Sequence, residues 1–206
     1  MFASLVLKTL QIQHVKHKYL IFLLILLICS GLSSFSSDVK GTKWYTKTGS
    51  ITFFSHTQLE DIKAQTSQAT VIFDAVSGEF NTKVLIQSFH FKKKLMQEHF
   101  NENYMESSKY PEAVFIGIIS NIKNIDFTKD SSYKINCSGK LTMHGVTKDV
   151  TCNNGTLKIN NNTEATIKAK FSVLLKDFNI EIPKLHKNNI SETIEITFES
   201  NCKKFN

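Results

Sequence analysis

The chain has 206 residues, of which 41% are hydrophobic and 21% charged, a balance that suits one ordered domain and excludes a disordered chain. With 2 prolines and 8 glycines it is neither collagen-like nor Pro-rich. All of its 25 basic residues are lysines, set against 18 acids for a formal charge of +7. Arginine, the usual bidentate reader of phosphate and base edges, is absent, so no nucleic-acid partner is expected.

The first element in chain order is an export segment. A basic stretch, His14 to Lys18, precedes ten apolar residues, 19–28, and then small residues at Ser30, Gly31, Ser33, Ser34 and Ser36. Ten helical residues rise about 15 Å, half of a bilayer core of about 30 Å, so this is a signal peptide rather than a membrane span. Cleavage after Ser36 leaves a single domain over 37–206, bound for the periplasm. Cys29 closes the apolar run and is a candidate for lipidation, although Ile28 before it is larger than lipoprotein processing prefers.

From Trp44 the chain reads as short strands with one wet face. Phe53 and Phe73 lie in the first two, and Phe80, Thr82, Val84 and Ile86 share a face of the third. Residues 91–110 break the alternation. Leu95, Met96, His99 and Phe100 recur at helical spacing, Tyr104 and Met105 follow, and Pro111 ends the segment. The apolar strand after it begins at Ala113. Ile135, Cys137, Gly139, Leu141 and Met143 then face one way, up to a turn at His144-Gly145. A two-residue turn there sets Cys137 opposite Cys152, close enough for a disulfide in an oxidising compartment, with two buried thiols as the alternative. Ala165, Ile167, Ala169, Phe171 and Val173 alternate with polar residues, as do Ile194, Ile196 and Phe198.

These runs amount to eight strands, over 44–55, 62–74, 79–90, 113–124, 132–142, 147–159, 164–175 and 192–200. With no βαβ unit among them, the fold class is all-β, an eight-stranded antiparallel barrel with a short helical crossover capping one end. The inward set mixes Phe53, Phe73, Phe80, Phe171 and Phe198 with Gly117, Gly139, Ala165 and Ala169. By composition it suits a filled core and a hollow apolar bore about equally well, and the near absence of charge on the inward faces leans toward the bore. The scattered histidines form no His-x-His or His-Glu-x-x-His motif, and the chain has no Gly-x-Ser-x-Gly elbow and no Gly-rich phosphate loop, so neither a catalytic role nor a metal is expected.

Three segments together resemble the YceI-like family of exported, lipocalin-like proteins. They are Phe53-Phe54-Ser55-His56-Thr57 with Leu59-Glu60-Asp61-Ile62; Lys109-Tyr110-Pro111-Glu112-Ala113 after the helical crossover; and the hairpin Gly139-Lys140-Leu141-Thr142-Met143-His144-Gly145-Val146-Thr147-Lys148. The resemblance implies a non-catalytic periplasmic carrier that holds a polyisoprenoid, an isoprenoid quinone or another long-chain lipid inside the barrel. Carried over by position, Phe89, Phe91, Leu95, Met96, Phe100 and Met105 would line or close one end, and Phe115, Phe171, Phe178 and Ile180 would be wall residues, with Phe53, Phe73 and Phe80 completing the ligand-binding set. No cofactor is implied beyond the bound lipid. Partners would be that lipid and, peripherally, a membrane, for a monomer or homodimer; Lys92-Lys93-Lys94 would sit at the mouth and meet an acidic headgroup or an anionic membrane surface, with a plain solvated run as the alternative. A filled-core envelope interaction module is the other reading.

Overall fold

The computed structural model describes Thr42–Phe205; the expected export segment and Cys29 lie outside the described residues. Eight long strands follow one another: β1 Lys43–His56, β2 Asp61–Asp74, β3 Glu79–Leu85, β5 Glu112–Ile119, β6 Ser131–Met143, β7 Val146–Asn160, β8 Glu164–Leu174 and β9 Thr193–Lys204. A two-residue strand, β4 His90–Phe91, adds to β2 before the crossover, in which α1 Lys94–His99 runs into a π-helical turn, Phe100–Tyr104. Every neighbouring pair is antiparallel, and β1 pairs with both β9 and β2, so the sheet closes into a barrel with no long free edge.

Side-chain alternation explains the closure. On β3, Phe80, Thr82 and Val84 are buried while Glu79, Asn81, Lys83 and Leu85 face solvent. The outer wall carries cross-strand ion pairs, Lys140–Asp149 at 3.0 Å and Lys168–Glu199 at 3.0 Å, each contributing at most about 1 kcal/mol in water. Register slips in β1 between Thr46 and Ile51 let that strand bend between its two neighbours.

Two expected elements differ in extent. The third strand stops at Leu85 instead of running to residue 90, because a 3₁₀ turn intervenes at Ile86–Ser88. There the Ser88 hydroxyl donates to the Leu85 carbonyl at 2.6 Å and accepts from Thr66 at 2.9 Å, a local bond that competes with the sheet ladder. The strand from Ala113 likewise ends at Ile119, before a 3₁₀ turn at Ile122–Asn124. The β6–β7 turn is as expected: His144 and Gly145 both have positive φ (51° and 74°), and Met143 faces Val146.

The two ends of the barrel differ. One end is filled: Trp44 stacks on Phe73 at 5.9 Å and meets Phe127 at 5.7 Å, with Ile122, Ile125, Leu157 and Ile159 in the same cluster. The other end, where the β1–β2 turn, the crossover and the β8–β9 loop converge, is hollow.

Candidate functional site

A cavity of about 560 Å³ occupies the hollow end. Its walls come from inward positions of the long strands. Ile167, Ala169, Phe171 and Val173 on β8 and Ile194, Ile196 and Phe198 on β9 form one side, with Leu141 and Met143 on β6 and Val150 and Cys152 on β7. Halfway down, Phe80 and Phe198 meet edge to face at 5.7 Å, and Phe115 abuts Phe80 at 6.1 Å. Phe80 and Phe198 therefore belong both to the filled core and to the lining.

Near the opening stand four phenylalanines. Phe53 of β1 and Phe100 of the crossover are 5.2 Å apart, and Phe89 and Phe91 lie 5.9 and 5.0 Å from Phe100. Aromatic rings in offset or edge contact bury large areas with few rotamers to freeze, so this cage is a stiff apolar collar. The crossover can supply it because α1 and the π-helical turn point Met96, Phe100, Tyr104 and Met105 down onto the opening.

Eleven of the thirteen residues singled out from the sequence line this cavity: Phe53, Phe80, Phe89, Phe91, Leu95, Met96, Phe100, Met105, Phe115, Phe171 and Ile180. Two do not. Phe73 sits on the far half of β2 and is part of the Trp44 plug, beyond the end of the void. Phe178 ends a 3₁₀ turn, Leu175–Phe178, after which Asn179 takes a left-handed φ of 55°, and its ring is buried against Ile86, Met105, Val173 and Ile194 rather than facing the bore. Strand parity stops at Leu174, so it could not place Phe178.

Of the polar rim, sequence reading reached only the lysine run 92–94. Glu60 in the β1–β2 turn, Lys93 before α1, and His186 and Asn189 in the β8–β9 loop all line the opening. Lys93 Nζ donates to Glu60 Oε1 at 3.1 Å and Asn189 Nδ2 donates to Glu60 Oε2 at 3.4 Å, so one carboxylate clasps three segments across the mouth. The nearby Ser191 amide donates to Ser55 Oγ at 2.9 Å. Loop residues have no period to betray them; the only available signal was the acid of the Leu59-Glu60-Asp61 segment beside the lysine run 92–94. Glu60→Gln keeps the shape but removes the charge, and several-fold faster release of a bound apolar probe is expected, with stability changed by less than about 1 kcal/mol. Stopped-flow displacement checks this, and an unchanged release rate would mean that the clasp does not slow exit.

His144 pins the mouth from the side. Its Nδ1 donates to the Phe178 carbonyl at 2.9 Å, its Nε2 lies 3.0 Å from Glu106 Oε2, and Tyr110 meets its ring edge to face at 4.7 Å. The turn, the crossover and the β8–β9 loop are thereby tied together.

Cys137 and Cys152 do stand opposite each other across β6 and β7, but as free thiols, and Cys202 is also free. Of the two arrangements left open by the sequence, disulfide or thiols, the structure holds the thiols. Burial, with Cys152 alongside, pushes the Cys137 thiol up to about 12, and burial pushes Cys202 up to about 11. Neither is a reactive thiolate at neutral pH. Because the folded state holds these protons more tightly than the unfolded chain, whose thiols ionise near 9.0, their stabilisation is complete below about pH 9 and is lost as pH rises toward 12. Denaturation midpoints between pH 8 and 11 should fall accordingly, and less steeply for Cys137→Ala.

A model of the YceI-like domain matches residues 35–202 of the chain. Among solved structures, a polyisoprenoid binding domain from Saccharophagus degradans, implicated in plant cell wall breakdown, superposes with a TM-score of 0.69 at 14% identity, covering 81% of this chain and 100% of that one. BcnA of Burkholderia cenocepacia gives 0.58 at 18% identity over 75% and 95% of the two chains. The YceI protein of Campylobacter jejuni gives 0.55 at 17% identity over 73% and 90%. No curated protein sequence matches. The likeness of the structures establishes the shared barrel, and the domain match spans nearly all of the described strands, so the chain belongs to the YceI-like family.

Proposed function

We propose that the protein binds and carries a long-chain lipid, of the polyisoprenoid, isoprenoid quinone or fatty acyl kind, in the hollow half of its barrel, without chemistry of its own. The observation that carries this reading is the cavity: about 560 Å³ of space walled by aliphatic and phenylalanine side chains and collared by four further phenylalanines. At roughly 30 Å³ per group, the share of a water molecule, it accommodates about 19 methylene-sized units. Each buried CH₂ contributes about 0.8 kcal/mol, so a chain of that length needs no specific polar contact to bind tightly, even after the cost of immobilising it. The polyisoprenoid binding named for the Saccharophagus degradans domain supports a prenyl chain as cargo. The leader-like sequence at residues 14–36 supports a periplasmic site of action.

Native mass spectrometry of the protein isolated from its own cells tests the reading. A retained lipid appears as a discrete added mass that organic extraction removes. Protein that carries no lipid and takes up neither polyprenols nor acyl probes rules it out.

A further inference from the structure

We propose that the mouth of the barrel docks on a lipid bilayer, with Leu59, Leu95 and Leu185 inserted among the acyl chains so that the cavity opens directly onto them. The inference rests on the carrier reading of the cavity and adds the surface from which the cargo is drawn. Leu59, Leu95 and Leu185 are 69%, 61% and 89% exposed. One exposed leucine on a soluble surface is ordinary, but three on the three segments that frame one opening are not.

Each leucine belongs to the rim by its neighbours. Leu59 precedes the cavity-lining Glu60, Leu95 itself reaches the opening, and Leu185 precedes the cavity-lining His186. Leu59 and Lys187 line one shallow groove, which sets the β1–β2 turn beside the β8–β9 loop. Apolar side chains at a cavity entrance give a hydrocarbon chain a continuous apolar path from membrane to bore, which a protein partner would block.

The charges leave room for the same occupant. Glu60, Asp61 and Glu98 are engaged by Lys93, His56 and Lys94 respectively. Lys92, Lys176, Lys184 and Lys187 have no ion-pair partner among the described residues, and neither do Glu102, Asp177, Glu181 and Glu192 of the same segments, so the rim is close to neutral. Long lysine side chains can lie along the interface with their ammonium groups among anionic headgroups while the leucines between them enter the acyl region.

Full-length Leu185→Trp and Val76→Trp variants test the orientation, Val76 being an exposed residue of the β2–β3 turn at the opposite end. Phosphatidylglycerol–phosphatidylcholine vesicles with brominated acyl chains should quench the new tryptophan at 185 and not that at 76; the native Trp44 is buried in both. In a second arm, combined Leu59→Ala and Leu185→Ala should lower vesicle partitioning at least about tenfold. Quenching at 76 alone, equal quenching at both positions, or none at either overturns the proposal, the last leaving the rim to a protein partner. Retained lipid is read separately by mass, so a loaded barrel whose rim is never quenched ends docking and spares the carrier, whereas a quenched rim on a barrel that takes no lipid does the reverse.

Discussion

Ala169→Trp is expected to weaken binding of an apolar probe about 100-fold while the barrel stays folded. Ala169 lies on β8 between Ile167 and Phe171, opposite Phe198 of β9, and its methyl faces the cavity. An indole there extends into empty space rather than into packed neighbours, so the usual cost of overfilling a core is largely avoided. It displaces ligand in proportion to the groups it replaces. Losing contact with about four methylenes, at about 0.8 kcal/mol each, comes to roughly two decades in Kd. Displacement of a fluorescent fatty acid measures the affinity, and near-UV circular dichroism with a thermal melt checks the fold. Ala169→Val, which fills far less, should lose only a few-fold. Unchanged probe affinity in a folded Trp variant would place the ligand somewhere other than the bore.

Gly139→Val should have the opposite profile, a loss of stability of about 3 kcal/mol or more before any question of binding arises. Gly139 on β6 faces Gly117 on β5. A Cβ at Gly139 would run into the Gly117 Cα and the Ile116 carbonyl oxygen, and would stand 2.8 Å from Phe115 Cζ. Two of those obstacles are backbone, so relief requires the β5–β6 pairing to part. With total stabilities of roughly 5–15 kcal/mol for a domain, a loss of this size shows as a large drop in the urea midpoint. Phe115→Ala combined with Gly139→Ala should cost less than the two changes summed, because the ring is one of the three clashes. Additive costs would mean that the ring does not rest on the glycines.

This pair of glycines also shows where sequence reasoning reached and where it stopped. Alternation along β8 and β9 placed Ile167, Ala169, Phe171, Ile194, Ile196 and Phe198 on the inner face, and all of them line the cavity. A period of two is a direct imprint of a sheet with one covered side, so the barrel and most of its wall were legible. What small residues at inner positions are for was not. Gly117 and Gly139 make room for the Phe115 ring, whereas Ala169 faces the void. Telling these apart requires knowing which strand lies across the barrel, information carried by closure and not by local pattern. For the same reason Phe73 could not be separated from Phe80, although one is in the plug and the other in the lining. Glu60, Lys93 and Asn189 lie far apart in sequence and meet only because three connections converge at one end.

The stack of Trp44, Phe73 and Phe127 gives the barrel a dead end. On the carrier reading, cargo would have to back out the way it came in, and a tail pushed to the bottom would meet a fixed stop. Such a bore would work as a depth gauge. Tails shorter than its reach would sink their polar ends below the rim, tails that match would leave them level with Lys93 and Asn189, and longer tails would hold them outside, offered to whatever the barrel next meets.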